Sequence, residues 1–279
     1  MTAPSDFVLD FDSDQSTAAR RRAAVRDLLE AAALWRLCWT LAWLDIRLRY
    51  RGSMLGPLWL TLSTGVMVAA MGMLYSVLWR LPLREYVPYL ALSLVLWNFL
   101  SVLVTDACFG YTLAEGTIRT VRMPYSLYAG RVVLRNLLVL AHNVVIVLLV
   151  DILLWQWPGA AALWALPAML IWLADALAVS VLLGALCARF RDIPPIAASV
   201  MQMAFMVSAV IFRPETLGDR AWLLNFNPFF TLLEILRAPL LGAMPGWEVY
   251  ASAMLFSAVL CTAGWLLFVQ VRGRIAFWI

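Results

Sequence analysis

Long, mostly apolar stretches are the feature that most constrains what this chain can fold into. A helix needs about 20 such residues to cross the ~30 Å hydrocarbon core of a bilayer. Six stretches qualify, at residues 57–79, 88–108, 127–155, 163–187, 195–212 and 249–271. Because backbone groups in lipid must be hydrogen-bonded within the protein, the sequence predicts an all-α integral membrane protein with six transmembrane helices.

Composition supports this class and excludes several functions. Charged residues make up 14% of the 279 residues, against roughly a quarter in soluble domains. Every basic residue apart from one histidine is arginine, so the lysine of a Walker A phosphate loop is absent and the chain is not itself a P-loop ATPase. The single histidine and four separated cysteines do not suggest a metal site. We therefore predict no metal and no catalytic residue.

The arginines predict the orientation, since cytoplasmic segments carry the excess of positive charge. With the N-terminus inside, sixteen of the 21 arginines lie in cytoplasmic segments or near the cytoplasmic end of a span, and five lie outside. Both termini are therefore expected in the cytoplasm. Residues 1–22 open with several aspartates and are predicted to be a disordered acidic tail, followed by an interfacial helix at 23–52 and the six-span domain at 53–279.

The predicted interfacial helix is amphipathic. At 100° per residue, one stripe of side chains spans only about 80° of its circumference. This stripe consists of Trp35, Trp39, Trp43, Ile46 and Tyr50, and an arginine-containing stripe beside it consists of Arg36, Thr40, Arg47 and Arg51. Indole rings and guanidinium groups both suit the headgroup region. Gly52 and Gly56 mark an elbow before the first span.

A largely apolar stretch at residues 213–247 lies outside, between predicted spans five and six. Prolines interrupt it, so no piece is long enough to cross the membrane. The candidate residues of this region are Asn227, Pro228, Glu234 and Arg237, and Glu234 and Arg237 have the i,i+3 spacing of a pair on one helix face. We expect short re-entrant helices, because irregular backbone at membrane depth must be surrounded by protein or water.

Polar residues within the predicted spans are candidates for function. Asp175 lies near the middle of the fourth span, His142 and Asn143 near the middle of the third, and Asn98 in the second. An aspartate and a histidine can relay protons in a carrier. They can equally make interhelical hydrogen bonds that stabilise packing, and the sequence leaves both interpretations open.

The loop after the second span is also basic. The sequence predicts a short helix that is stopped by Pro124 and carries Arg119 and Arg122 on one side. Two interpretations remain, a simple turn that obeys the positive-inside rule or a docking element for a cytoplasmic partner. The candidate residues are Glu115, Gly116, Arg119, Arg122, Met123 and Pro124.

Five segments in this order resemble one family, at residues 45–59, 118–124, 187–194, 227–242 and 272–278. The chain resembles the membrane subunit of type-two ABC exporters, in the branch that exports O-antigen and related cell-surface polysaccharides. The resemblance covers the chain from about residue 28 to its end. Coupling loops of the family often carry lysine where this chain has arginine.

The resemblance implies a homodimer of six-span subunits in the bacterial inner membrane, surrounded by lipid, with the glycan path between the protomers. It implies two copies of a separate cytoplasmic ATPase subunit, which bind ATP and Mg, while this chain binds no cofactor and no nucleic acid. The loop at about 116–125 corresponds to the coupling helix, and the helix at 23–52 to a gate at the cytoplasmic lipid interface.

The implied substrate is a polyprenyl-diphosphate-linked glycan. Guanidinium groups pair well with phosphate oxygens, so Arg47, Arg49 and Arg51 are candidates for binding the diphosphate. Alternative functions are a permease of the same family for capsule, teichoic acid or a small molecule, a proton-coupled carrier, or a membrane glycosyltransferase or acyltransferase. A membrane glycosyltransferase or acyltransferase would need clustered acidic residues or a histidine–carboxylate pair at a membrane face. In this sequence the acidic residues are dispersed.

Overall fold

A computed structural model describes residues 16–54, 56 and 58–279, and within them the chain is helical without β-strands. The eleven α-helices are α1 (Thr17–Ala33), α2 (Trp35–Arg49), α3 (Leu58–Trp79), α4 (Leu83–Cys108), α5 (Glu115–Thr120), α6 (Tyr125–Leu154), α7 (Ala165–Arg189), α8 (Ile193–Val207), α9 (Pro228–Leu240), α10 (Trp247–Val271) and α11 (Ile275–Trp278). Short 3-10 segments precede α5, α7, α9 and α11.

Five helices in the described part of the chain are long and apolar enough to cross a membrane, and they are α3, α4, α6, α7 and α10. The predicted all-α membrane fold is therefore confirmed. The remaining predicted span, residues 195–212, corresponds to α8, which has 15 residues and is about 22 Å long at 1.5 Å per residue. Helical geometry ends near Ser208, and Ala209 has a φ of 49°. The helix is thus shorter than the hydropathy pattern indicated.

Helix α4 is the centre of the bundle. It is buried along most of its length and packs against α3, α6, α7 and α8. The Trp172 ring of α7 stacks on Phe99 of α4 with centroids 5.5 Å apart, and its Nε1 donates to the backbone oxygen of Leu232, at 2.8 Å. One indole therefore joins α4, α7 and α9.

Close helix–helix contact depends on small residues, as expected where lipid replaces water around the bundle. Gly264 of α10 faces α7, and a Cβ at this position would lie 3.1 Å from the backbone oxygen of Ala178 and 3.4 Å from its Cα. Since the opposing atoms belong to the backbone, they cannot move aside without shifting a helix. The absence of a side chain at Gly264 therefore sets the distance between α7 and α10.

The N-terminal helices lie against one end of this bundle. Helix α1 begins at Thr17, inside the segment assigned to the acidic tail, and Ser16 caps it by accepting from the backbone nitrogen of Ala19. The rest of that tail, residues 1–15, lies outside the described residues. The predicted helix at 23–52 consists of most of α1 and all of α2, which meet at a kink at Leu34.

We expect Gly264→Ala to destabilise the protein, because an added methyl group overlaps the backbone of α7. Overpacking of this kind costs about 1–3 kcal/mol. The measurement is the thermal unfolding midpoint of the purified protein in detergent. Gly159→Ala is the control, since a Cβ at Gly159 would meet no described atom within 4 Å. Equal midpoints for the two variants would show that this contact does not limit packing.

Candidate functional site

Helix α2 has a buried stripe and an exposed aromatic stripe. Its small buried residues Cys38 and Ala42 lie against α6, where Gly130 leaves room for the sulfur; a Cβ at Gly130 would be 3.2 Å from Cys38 Sγ. Burial raises the pKa of Cys38 to about 11, so the thiol stays protonated and donates to the backbone oxygen of Leu127, at 3.6 Å. The absence of a side chain at Gly130 therefore allows the close approach of α2 to the first turns of α6.

The aromatic stripe of α2 faces away from the protein. Trp35, Trp39 and Trp43 are all exposed, whereas Ile46, which the helical projection grouped with them, is buried. Exposed indoles on a helix that packs against a membrane bundle are suited to contact lipid. Ile46 belongs instead to the buried side of α2, together with Cys38 and Ala42.

Asp45 is the main polar link between α2 and α6. Its carboxylate accepts two hydrogen bonds from Arg131, one from Nε at 2.8 Å and a second, shorter one from Nη2. Arg135, one turn further along α6, donates from Nη1 to the same carboxylate at 3.4 Å. A guanidinium group that binds both oxygens of a carboxylate is the strongest of the common ion-pair geometries.

Asp106 near the end of α4 extends this cluster. It accepts from Arg135 Nη2 at 2.8 Å and from Asn136 Nδ2 at 3.0 Å, and Arg49 Nη2 of α2 lies 3.9 Å from it. Arg135 is therefore shared between two carboxylates. Beside the cluster is a cavity of about 130 Å³ whose wall includes Asp45, Asp106, Arg131, Arg135 and Tyr128.

The predicted diphosphate residues differ in their surroundings. Arg47, Arg49 and Arg51 are all exposed, and only Arg49 approaches the cluster, through its 3.9 Å contact with Asp106. The residues that sequence reasoning missed are Asp45, Asp106, Arg131 and Arg135. The available signal was the i,i+4 spacing of Arg131 and Arg135, which places two cations on one face near the start of α6.

Asp27 of α1 holds the beginning of α6 and is completely buried. Its carboxylate accepts from the backbone nitrogens of Tyr125 at 3.1 Å and Ser126 at 2.9 Å, and from the Ser126 hydroxyl. Arg272, just after α10, donates from Nε to it at 2.7 Å. A carboxylate at a helix N-terminus satisfies free backbone donors and is favoured by the helix dipole. Sequence reasoning also missed this junction of α1, α6 and α10.

The basic loop leads directly into α6. The prediction that Arg119 and Arg122 share a helix face was wrong, because α5 ends at Thr120 and Val121 is extended. The β-branched Val121 and the restriction that Pro124 places on its preceding residue both disfavour a longer helix. Arg119 pairs with Glu115 at 2.8 Å, and both are exposed.

The remaining loop candidates divide into an outer and an inner group. Gly116 and Arg122 are exposed. Met123 packs with Ile118 against the hydrophobic cluster that includes Tyr111, Ala114 and Phe268, and Pro124 is buried immediately before α6. The loop therefore has an exposed polar side and an apolar side attached to the bundle.

The polar residues within the spans are not brought together. Asp175 accepts from the Ser257 hydroxyl of α10 at 2.7 Å, which is an interhelical hydrogen bond. His142 Nδ1 lies 2.7 Å from the backbone oxygen of Leu138 on its own helix. Asn143 is buried on α6, and Asn98 is half-buried on α4. The Asp175 contact is of the interhelical kind that the packing interpretation expects, whereas the His142 contact lies within one helix.

Arg237 of α9 is completely buried at the opposite end of the bundle. It pairs with Glu234, as the i,i+3 spacing predicted, and donates from Nη1 to Ser93 Oγ at 2.9 Å and to the backbone oxygen of Ala209 at 2.7 Å. Its guanidinium carbon lies 4.4 Å from the centroid of the Tyr89 ring. This charge joins α9, α4 and the unwound end of α8.

Asn227 and Pro228 begin α9 in the expected way. The side-chain oxygen of Asn227 accepts from the backbone nitrogens of Phe229 at 3.0 Å and Phe230 at 3.3 Å, and Pro228 is the first helical residue. Asparagine before proline is a favourable start for a helix. The asparagine side chain accepts from free backbone N–H groups, and proline has no backbone N–H that would remain unpaired.

Comparison with known proteins identifies relatives over most of the chain. Residues 36–241 match the family model described as ABC-2 type transporter. The chain is 25% identical over 197 residues to the O-antigen export system permease protein RfbA of Myxococcus xanthus, which covers 70% of this chain and 76% of that protein. It is 21% identical over 236 residues to a protein of the same name from Klebsiella pneumoniae, over 83% of this chain and 90% of that protein.

We expect Asp27→Ala to lower the free energy of unfolding by about 3 kcal/mol, because it leaves buried backbone donors and Arg272 without their acceptor. Asp27→Asn should cost less, since the amide oxygen still caps α6. Thermal unfolding of the purified protein measures both. Glu30→Ala, an exposed acidic position on the same helix, is the matched control and should have little effect. A loss in Asp27→Ala no larger than that in Glu30→Ala would contradict the assigned role.

Proposed function

The chain belongs to the ABC-2 type transporter family, and from that premise we propose that it exports a lipid-linked polysaccharide of the O-antigen kind. It is a transport subunit and not an enzyme, and ATP is hydrolysed by a separate partner. The observation that carries the cargo assignment is the similarity to O-antigen export permeases along most of both chains. The direction of transport is from the cytoplasmic to the outer side of the bacterial inner membrane.

The proposed topology has six spans with both termini in the cytoplasm. Helix α8 serves as the fifth span together with the unwound residues that follow it. Non-helical backbone can lie at membrane depth where other protein groups supply its hydrogen bonds. Here the backbone oxygen of Ala209 accepts from both Tyr89 and Arg237. The segment before α9 and α9 itself are then the re-entrant elements on the outer side.

The proposed assembly is a homodimer with two ATPase subunits, which bind ATP and Mg, docked on the α5 loops. The exposed residues Glu115, Gly116, Arg119 and Arg122 present a polar surface to the ATPase. Met123 and Pro124 connect that surface to α6. Asp27 also accepts hydrogen bonds from the first residues of α6. A displacement of α5 is therefore transmitted to α1 as well as to the spans.

The proposed first contact with substrate is at α2. The lipid-linked glycan carries an anionic diphosphate at headgroup level, where the tryptophans of α2 place the exposed Arg47, Arg49 and Arg51. Guanidinium groups in this setting attract and orient phosphate oxygens. The glycan then passes between the protomers as the ATPases open and close.

The test of this function is export in cells. A strain lacking the gene should lose its surface polysaccharide and accumulate lipid-linked glycan inside, and the wild-type chain should restore export. We expect the combined variant Arg47→Gln, Arg49→Gln and Arg51→Gln to restore at most about a tenth of wild-type export, measured by gel electrophoresis of surface glycan.

The matched control is the combined variant Arg20→Gln, Arg21→Gln and Arg22→Gln, which makes the same charge change on α1. It should export normally if the position of the charge matters and not its amount. Undiminished export by the α2 variant would remove the recruitment role of these arginines. Normal surface polysaccharide in the deletion strain would overturn the proposed cargo.

A further inference from the structure

We propose that Arg131 and Arg135 form a second, inner binding site for the diphosphate of the lipid-linked substrate, and that Asp45 occupies this site until α2 moves away. The proposal rests on the proposed function, since it takes the same diphosphate as its ligand. It differs from the exposed arginines of α2 in place and in surroundings. The site lies behind α2, on the α6 face that α2 covers.

The carboxylate of Asp45 now fills the site. Asp45 lies across the fork of Arg131, with Nε and Nη2 both donating to its carboxylate, and it also accepts from Arg135. A phosphate group accepts from the same fork in the same bidentate manner. Removal of Asp45 leaves Arg131 without a carboxylate partner among the described residues, and Arg135 with Asp106 alone. The carboxylate is thus an internal substitute for an anionic ligand.

Two buried hydrogen-bond donors beside the site have no acceptor in the described part of the chain. They are Arg135 Nε and the hydroxyl of Tyr128, a residue that is 1% exposed. Both residues line the cavity of about 130 Å³ beside the ion pairs. A buried polar group without a partner costs free energy, so it calls for a ligand or ordered water. The cavity, two arginines and the free hydroxyl together suit a phosphate group.

Helix α2 is joined to the rest of the chain by a bend at each end, an arrangement that allows it to move relative to α6. Gly52 and Gly56 follow it with φ values of 84° and 56°, and a Cβ at either would meet no described atom within 4 Å. Gly52 is exposed and Gly56 is half-buried, and both adopt a left-handed backbone conformation that suits a bend. At its other end α2 meets α1 at the Leu34 kink. Between these points the buried side of α2 consists of Cys38, Ala42 and Ile46, and its polar contacts with α6 are the Asp45 ion pairs and the hydrogen bond from Cys38 to Leu127 O.

The test compares ligand affinities of the permease in complex with its ATPase, in phosphatidylcholine nanodiscs, with a polyprenyl diphosphate as the probe. Asp45→Asn keeps the shape of the side chain and removes its charge. We expect it to bind the probe about tenfold more tightly than wild type. Adding Arg135→Gln to Asp45→Asn should abolish the gain. Asp192→Asn, an exposed position in the α7–α8 loop with the same charge change, should bind like wild type.

Tyr128→Phe provides a test that leaves every ion pair in place. Because the hydroxyl has no partner to lose in the described structure, the variant should keep the wild-type melting temperature. We expect its affinity for the probe to fall about threefold. This variant decides the matter if Asp45→Asn does not fold, and unchanged affinity in Tyr128→Phe would then overturn the inner site.

Two further arms identify the source of the phosphate. Inorganic diphosphate should compete with the probe on Asp45→Asn, and phosphatidylglycerol in the nanodisc should not. Competition by phosphatidylglycerol alone would assign the site to bulk lipid headgroups and overturn the proposal. If wild type binds the probe and exports glycan but Asp45→Asn and Tyr128→Phe bind it equally well, the inner site is wrong and the proposed function stands. If wild type binds no probe and the deletion strain exports normally, the proposed function itself fails.

Discussion

The buried carboxylate of Asp27 and the half-buried carboxylate of Asp45 attach the N-terminal helices to α6, and the arrangement of the whole basic end depends on them. Asp27 caps α6 and binds Arg272, while Asp45 binds Arg131 and Arg135 one and two turns further along. Removing Arg272 would leave the buried Asp27 with an uncompensated charge, so this pair holds α1 in one position relative to the start of α6 and the end of α10. Because the α5 loop ends where α6 begins, the proposed ATPase contact, the exposed aromatic helix α2 and the spans all meet on one helix.

Much of this architecture follows from local sequence. The apolar stretches predict the five long helices because lipid exposure imposes length and composition directly on each segment. The Glu234–Arg237 pair and the Asn227 cap can also be predicted from sequence, since in each case both partners lie within one turn of the same helix. The position of α2 before a glycine elbow also follows from a pattern within a few residues.

The contacts that define the candidate site do not follow from local pattern. Asp45 and Arg131 are 86 residues apart, and Asp27 and Arg272 are 245 apart, so only the packing of helices brings them together. The sequence places Arg131 and Arg135 near the cytoplasmic end of a predicted span, but helical periodicity does not predict which carboxylate each arginine pairs with. Hydropathy likewise overestimated α8, because apolar residues continue past the point where Tyr89 and Arg237 hold the unwound backbone. Tertiary hydrogen bonds there replace helical ones.

The central claim is that the substrate diphosphate replaces Asp45 on α6 and that α2 moves as it does so. The most direct measurement is the distance between spin labels at Leu48 on α2 and Thr112 before α5, two exposed positions near the cluster. It is made by pulsed electron paramagnetic resonance on the complex with its ATPase, before and after addition of saturating polyprenyl diphosphate. We predict that a longer distance appears on addition of the lipid. An unchanged distance distribution with the lipid bound would contradict the account.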